Sequence, residues 1–232
     1  MPPSSPPKAR FQIASDQSVL VSFGDQVSIP VHEHVRRFVR FLELEPISGV
    51  RNLHPAYCSV LVKFDPLKLR HEALEETLRG CVERMDRAVL PPPRDVEIPV
   101  CYDGEFGPDL DDVAKLHGLT AQRVIELHAG GHYLVYFLGF VPGFAYLGEL
   151  AEELVTPRLT APRKSVPAGS VGIASNHTGV YPVSTPGGWR LLGRTPVAMF
   201  RPASDEMSLL SIGDRVSFVP ISRSQFAKLE HA

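Results

Sequence analysis

Pro91-Pro92-Pro93 divides this 232-residue chain into two stretches with different hydrophobic rhythm. A proline run favours extended polyproline geometry and serves as a semi-rigid spacer of the kind that separates domains. Before it, strand and helix signals alternate. SVLVSFG (Ser18–Gly24) is rich in β-formers and ends at a turn. Pro30 suits the first turn of a helix, and VHEHVRRFVRFLEL then sets Val31, Val35, Phe38, Val39 and Leu42 on one face. GVRNLHPAYCSVLVKFD predicts two strands around a bend at His54-Pro55, because proline is excluded from strand centres. A second helix is predicted from about Lys68 to Arg87, with Leu69, Leu74, Leu78 and Val82 on its apolar side. Strands in one layer and helices in the other make a small α+β sandwich.

Beyond the prolines, two short helices are predicted near Asp109–Leu116 and Thr120–Leu127, with Thr120 as the N-cap of the second. Strand and turn follow: HYLVYFLGFVPGF, VGIA, GVYPVS, WRLLG, PVAMF and DRVSFVPI, punctuated by Gly and Pro. Short strands spaced in this way read as a closed or nearly closed β-barrel. The expected layout is a disordered tail over 1–9, an α+β domain over 10–90, a linker over 91–95 and a mainly-β barrel domain over 96–232.

Composition narrows the function classes. Lys plus Arg number 24 against 26 Asp plus Glu, so nothing draws the whole chain to nucleic acid or an anionic membrane. No apolar run approaches the ~20 residues of a spanning helix, and MPPSSPPKAR lacks the apolar core of a signal peptide. Cys58, Cys81 and Cys101 are scattered, which points to a reduced, cytoplasmic compartment and to small buried thiols. No phosphate loop, dinucleotide turn or biotinyl-lysine motif occurs. Gly169-Ser170-Val171-Gly172 has the wrong spacing for a nucleophile elbow, so Ser170 reads as a turn or strand residue. His32 and His34 point apart on a helix and are expected to be solvated rather than to share a metal.

The unusual chemistry lies in four segments of the second half. FLGFVPGFAYLG is aromatic and bent by glycine. TPRLTAPRKSVPAGS carries Arg158 and Arg163, each directly after a proline that fixes its turn. VPAGSVGIASNHTGVYP holds Gly169, Gly172, Gly179 and His177, and STPGGWRLLGRTP brings Gly187, Gly188, Trp189, Arg190 and Arg194. Guanidiniums held on rigid turns suit carboxylate or phosphate, and glycines let backbone N–H groups come close to an anion. The same residues are also what a small barrel needs at its corners. His128 and His132 flank Gly130-Gly131 where a helix gives way to a strand, so capping competes with catalysis as their role. From the residues alone, pocket and corner both stay open.

LGFVPGFAYLGEL, TPRLTAPRKSVPAGSVGIA, TGVYPVSTPGGWRLLGRTP and GDRVSFVPI together resemble the family of the 5-oxoprolinase B subunit, also known as allophanate hydrolase subunit 1, which includes the kinase inhibitor KipI. SVLVSFGD, HPAYCSVLVKFDP, PDLDDVAKLHGLT and VIELH extend the resemblance over nearly the whole chain. It implies a cyclophilin-like barrel and two partner proteins, the C and A subunits of the same complex. It also implies a small cyclic amide as substrate, and ATP used at the level of the complex to open 5-oxo-L-proline. Alternatives within the family are inhibition of a histidine kinase and a urea or allophanate carboxyltransferase role.

Position by position, the resemblance implies a pocket of Phe140, Pro142, Gly143, Arg158, Arg163, Pro167, Ala168, Gly169, Gly188, Trp189 and Arg194. Arg163 and Arg194 would orient anionic groups, N–H groups near Gly169 would stabilise an oxyanion, and His177 would move a proton. Two positions depart from the family pattern. Gly148-Glu149 stands where Gly-Gly is common, and His177 stands where a glutamine amide is usual. Of those two side chains only an imidazole changes charge near pH ~6.5.

Overall fold

The computed structural model describes residues 8–230, so most of the expected tail lies outside the described residues. The chain forms two compact units, the first ending at Pro92 and the second beginning at Pro93.

The first unit runs β1 (Arg10–Ser15), β2 (Ser18–Ser22), α1 (Ile29–Leu44), β3 (Val50–Pro55), β4 (Ser59–Phe64) and α2 (His71–Arg84). Its antiparallel sheet has the order β1-β2-β4-β3. Ser28 caps α1 by accepting from the Val31 N–H at 3.4 Å, and Val35, Phe38, Val39 and Leu42 are buried on its inner face. They meet Val19, Val21, Val60 and Val62 of the sheet and Leu74, Leu78 and Val82 of α2 in one core. His32 corrects the expectation of a solvated pair. It is 1% exposed, and burial, aided by the Arg36 charge, pushes its imidazole down to about 4 against a smaller backbone effect from Tyr57. The second helix starts later than predicted because Asp65 organises a turn first: its carbonyl takes the N–H groups of Lys68 and Leu69, and its carboxylate takes that of Leu67. Strand β1 carries no strong sequence signal, since most of its residues are exposed on the sheet edge.

The second unit begins with β5 (Asp95–Val100), whose first residue falls in the stretch expected to be linker. It continues with α3 (Leu110–His117), α4 (Ala121–Ala129), β6 (Tyr133–Leu138), β7 (Ala145–Gly148), β8 (Arg163–Val166), β9 (Ser170–Ala174) and β10 (His177–Val180). Then come β11 (Thr185–Gly187), β12 (Arg190–Arg194), β13 (Arg215–Pro220) and α5 (Arg223–Glu230). Thr120 caps α4 as predicted, accepting from the Arg123 N–H at 3.1 Å. PVAMF is not a strand. The Thr195 hydroxyl takes the Val197 N–H at 3.2 Å, turning the chain, and Phe200 makes only an isolated bridge to Ser208.

The larger sheet has the order β12-β9-β10-β7-β6-β13-β5, antiparallel except for the parallel β13–β5 pair. One bridge nearly closes it into a barrel: Cys101, just past β5, and Arg194, at the end of β12, exchange both backbone hydrogen bonds at 2.9 Å. Gly193 permits that approach, because a Cβ there would lie 2.7 Å from the Cys101 carbonyl oxygen. This is the nearly closed barrel that the short strands predicted, made mixed by the parallel β13–β5 pair.

Ile98, Val135, Leu147, Val171, Ile173 and Phe218 fill the barrel, and Leu110, Val113 and Val124 of the two helices join the same core. His128, expected at a helix cap, is 0% exposed within it. Its ring stacks on Phe218 at 4.6 Å, and its two nitrogens lie 2.8 Å from the Tyr102 hydroxyl and 2.9 Å from that of Thr178. Thr178 donates to the Gly172 carbonyl at 3.1 Å, so it accepts from Nε2–H, and Nδ1 accepts from Tyr102. Burial pushes His128 down to about 3, which keeps this ring neutral. No described helix is long and apolar enough to cross a membrane.

Candidate functional site

Along β9, Val171 and Ile173 point into the barrel, so Ser170, Gly172 and Ala174 face outward. The two-stranded β8–β11 ribbon packs on this outer side, and Val166, Ala174, Phe144, Tyr181, Trp189 and Leu191 form a second, smaller core beneath it. Its rings meet edge to face: Phe144 stands 5.3 Å from both Trp189 and Tyr181, and 5.1 Å from Tyr146. That geometry places the positive edge of one ring on the negative face of the next.

A cavity of about 240 Å³ opens among these rings, walled by Phe140, Phe144, Tyr146, Tyr181 and Trp189 together with Arg158, Pro162, Pro186, Gly187 and Gly188. Arg158 is the only charged group in the wall, and among the described residues it makes no hydrogen bond or ion pair. Burial raises the Tyr146 and Tyr181 phenols, against the lowering pull of the Arg158 charge. The walls are therefore neutral and aromatic around a single available guanidinium. Gly187 is fixed by the approach of Tyr181, whose hydroxyl would lie 2.4 Å from an added Cβ. Gly188 is not, since a Cβ there would find nothing nearer than Pro162 at 3.7 Å.

Phe140 stands at the cavity, 60% exposed and with φ of 71°. A bulky L-residue in the left-handed region costs about 1–3 kcal/mol and persists where the surroundings hold it. Here edge-to-face contacts with Phe144 at 5.6 Å and Tyr181 at 6.5 Å do so.

Arg163, Pro167 and Arg194 line a different cavity of about 300 Å³, with Ser165, Ser170, Leu191, Glu105, Phe106 and Pro108. The predicted residues are thus divided between two neighbouring hollows. Arg163 is engaged: it donates to Asp109 Oδ1 at 2.6 Å, while Asp109 Oδ2 accepts from the Leu191 N–H at 2.7 Å. Arg194 donates from Nε to the Ala168 carbonyl at 2.9 Å.

The remaining predicted residues are corners. The Gly169 N–H donates to the Tyr181 carbonyl at 2.7 Å and the Ser170 N–H to that of Pro167 at 3.2 Å, so neither is open to a substrate oxygen. Gly169 has φ of 81°, and a Cβ there would lie 2.3 Å from the Thr195 carbonyl oxygen. Pro142 and Gly143 turn the β6–β7 connection outside both cavity walls, with Gly143 close against Phe200. His177 also lines neither cavity. It pairs in register with Gly148 and Ala174, its ring is 6.4 Å from that of Tyr136, and burial lowers it against a backbone hydrogen bond with Leu147. An imidazole held in its neutral form is a closer replacement for an amide than its free chemistry implies.

Phe144, Tyr146, Tyr181 and Asp109 were not anticipated as site residues. The period-two pattern of FAYLG carried the signal for Tyr146: Ala145 and Leu147 enter the barrel core, which turns Tyr146 outward.

The chain matches the family described as carboxyltransferase domain, subdomain C and D, over residues 9–210. It is similar to the 5-oxoprolinase B subunit of Bacillus subtilis (strain 168), 42% identical over 235 residues that cover 94% of this chain and 95% of that protein. A crystal structure of a conserved uncharacterized protein from Pyrococcus horikoshii is 45% identical, covers 94% of this chain and 100% of its own, and superposes with a TM-score of 0.56. The K. lactis urea amidolyase shares the fold, with a TM-score of 0.79 at 18% identity over 98% of this chain and 16% of the other. A further solved chain at 37% identity is also longer, this chain spanning 40% of it.

Proposed function

This chain belongs to the carboxyltransferase family of subdomains C and D, and from that membership we propose that it serves as the B subunit of a 5-oxoprolinase. The observation that carries the proposal is 42% identity to a subunit of that name across nearly the full length of both chains. A B subunit works with partners, so the proposed activity is that of a complex with the companion C and A subunits. That complex opens the lactam of 5-oxo-L-proline with ATP to give glutamate, ADP and phosphate. The free Cys58, Cys81 and Cys101 suit a reduced, cytoplasmic setting.

The aromatic cavity supports the reading at the level of chemistry. Its volume of about 240 Å³ lies below the ~300–1,000 Å³ of sites for drug-sized ligands, so it suits a small ring. Neutral aromatic walls accept the flat lactam by stacking, and Arg158 supplies a fork of donors for the substrate carboxylate. In this reading Arg158 binds, Gly188 leaves room for the ring, and Arg163 positions the ribbon through Asp109.

The experiment is to mix the purified chain with its partner C and A subunits and follow 5-oxoproline-dependent phosphate release. Activity that needs all three chains supports the assignment, and a rate unchanged when this chain is omitted defeats it.

A further inference from the structure

We propose that the second cavity, between Arg194 and Ser170, is a phosphoryl oxyanion site. This goes beyond the reading of the aromatic cavity and does not depend on it. Ser170 and Arg194 are register partners on β9 and β12, so their side chains lie side by side on the outer face of the barrel. Ser170 is 3% exposed, it lines the cavity, and among the described residues its hydroxyl makes no hydrogen bond. That hydroxyl opens onto the cavity, where it is free to donate to an acceptor. Arg194 is anchored by its Nε to the Ala168 carbonyl at 2.9 Å, while neither terminal nitrogen of its guanidinium has a hydrogen-bond partner among the described residues.

The third donor is the hydroxyl pair of Ser165 and Ser184, 2.9 Å apart, whose Ser165 member stands on the ribbon across the cavity. Donors on three separate strands, β8, β9 and β12, line this one cavity. That arrangement matches a tetrahedral oxyanion better than a planar carboxylate. The charge balance agrees. Glu105 also lines the cavity but is paired with Arg223 at 3.1 Å, and Asp109 is paired with Arg163 at 2.6 Å. Arg194 is left as the uncompensated charge. Phe106, Pro108, Pro167 and Leu191 supply apolar walls that strengthen its attraction for an anion.

The test is calorimetric titration of the full chain at low salt with inorganic phosphate, with ATP, and with acetate as a planar control. Saturable binding of phosphate, of ATP or of both is expected, and the comparison tells a free phosphate from a nucleotide source. Arg194→Gln should weaken it about tenfold or more, Arg194→Lys should restore part of the loss, and Arg158→Gln should leave it unchanged. Ser165→Asp, at an exposed position, should abolish it by repulsion and serves if the Arg194 variant fails to fold. Absence of saturable binding, acetate binding as tightly as phosphate, or full affinity in either the Arg194→Gln or the Ser165→Asp variant would overturn the proposal. Because neither partner proteins nor 5-oxoproline are present, this outcome is separate from that of the reconstitution assay.

Discussion

Arg163 on β8 and Asp109 at the head of α3 grip each other at 2.6 Å, and the second oxygen of Asp109 holds the Leu191 N–H of β12 at 2.7 Å. One buried carboxylate thus ties ribbon, helix and barrel together. Removing Arg163 strands that carboxylate, and Arg163→Ala should lower unfolding stability by about 3 kcal/mol, the low end of the cost of breaking a buried pair. The paired change Asp109→Asn with Arg163→Gln should cost less than the sum of the single changes. Urea unfolding of the parent, of Arg163→Ala, and of the two single changes and the double variant of the cycle measures both. Additive losses would mean that the pair is not coupled.

Two glycines only nineteen residues apart should answer to alanine in opposite ways. Gly169→Ala forces a Cβ to 2.3 Å from the Thr195 carbonyl at φ of 81°, and should cost about 2–4 kcal/mol of stability. Gly188→Ala meets nothing closer than 3.7 Å and should leave the melting temperature within about 2 °C of the parent, while its methyl narrows the aromatic cavity and weakens 5-oxoproline use. Thermal melts alongside the assay separate the two, and an inactive but fully stable Gly169→Ala would contradict the assignment of Gly169 as a corner.

The stretch around Gly169 shows where sequence stops informing. Its glycines and prolines said that the backbone must bend closely past something, and it does, but the neighbour is the Thr195 carbonyl. Composition alone cannot tell a ligand from another strand. The barrel itself was legible, because Val171, Ile173 and Leu147 alternate with outward residues on short strands. Its closure was not, since the Cys101–Arg194 bridge joins residues brought together only by the full circuit of the sheet. Arg158 and Trp189, named by resemblance, both line the aromatic cavity. Asp109 was not legible, and neither was the engagement of Arg163 that follows from it, because a partner 54 residues away leaves no local pattern.

Buried histidines set the acid side of stability. His32 and His128 are neutral when folded, at about 4 and about 3, and take up a proton in the unfolded chain near pH ~6.5. Their contribution is whole above pH ~6.5 and is lost as the pH falls toward those folded values, by up to about 1.4 kcal/mol per unit for each group. His128→Gln, which keeps a donor and an acceptor for Thr178 and Tyr102, should flatten the decline between about pH 6.5 and 4.5. Urea midpoints across that range are the readout, and an unchanged slope would contradict the role assigned to His128.

Everything proposed for the aromatic cavity turns on Arg158 holding the carboxylate of a small cyclic amide. The direct measurement is the KM for 5-oxoproline of the reconstituted three-protein complex carrying Arg158→Gln, taken with the melting temperature of the isolated variant. The predicted result is a KM raised about tenfold or more with the melting temperature unchanged, as expected when a charge-assisted contact is lost without loss of fold. A stable variant with the parent KM would contradict it.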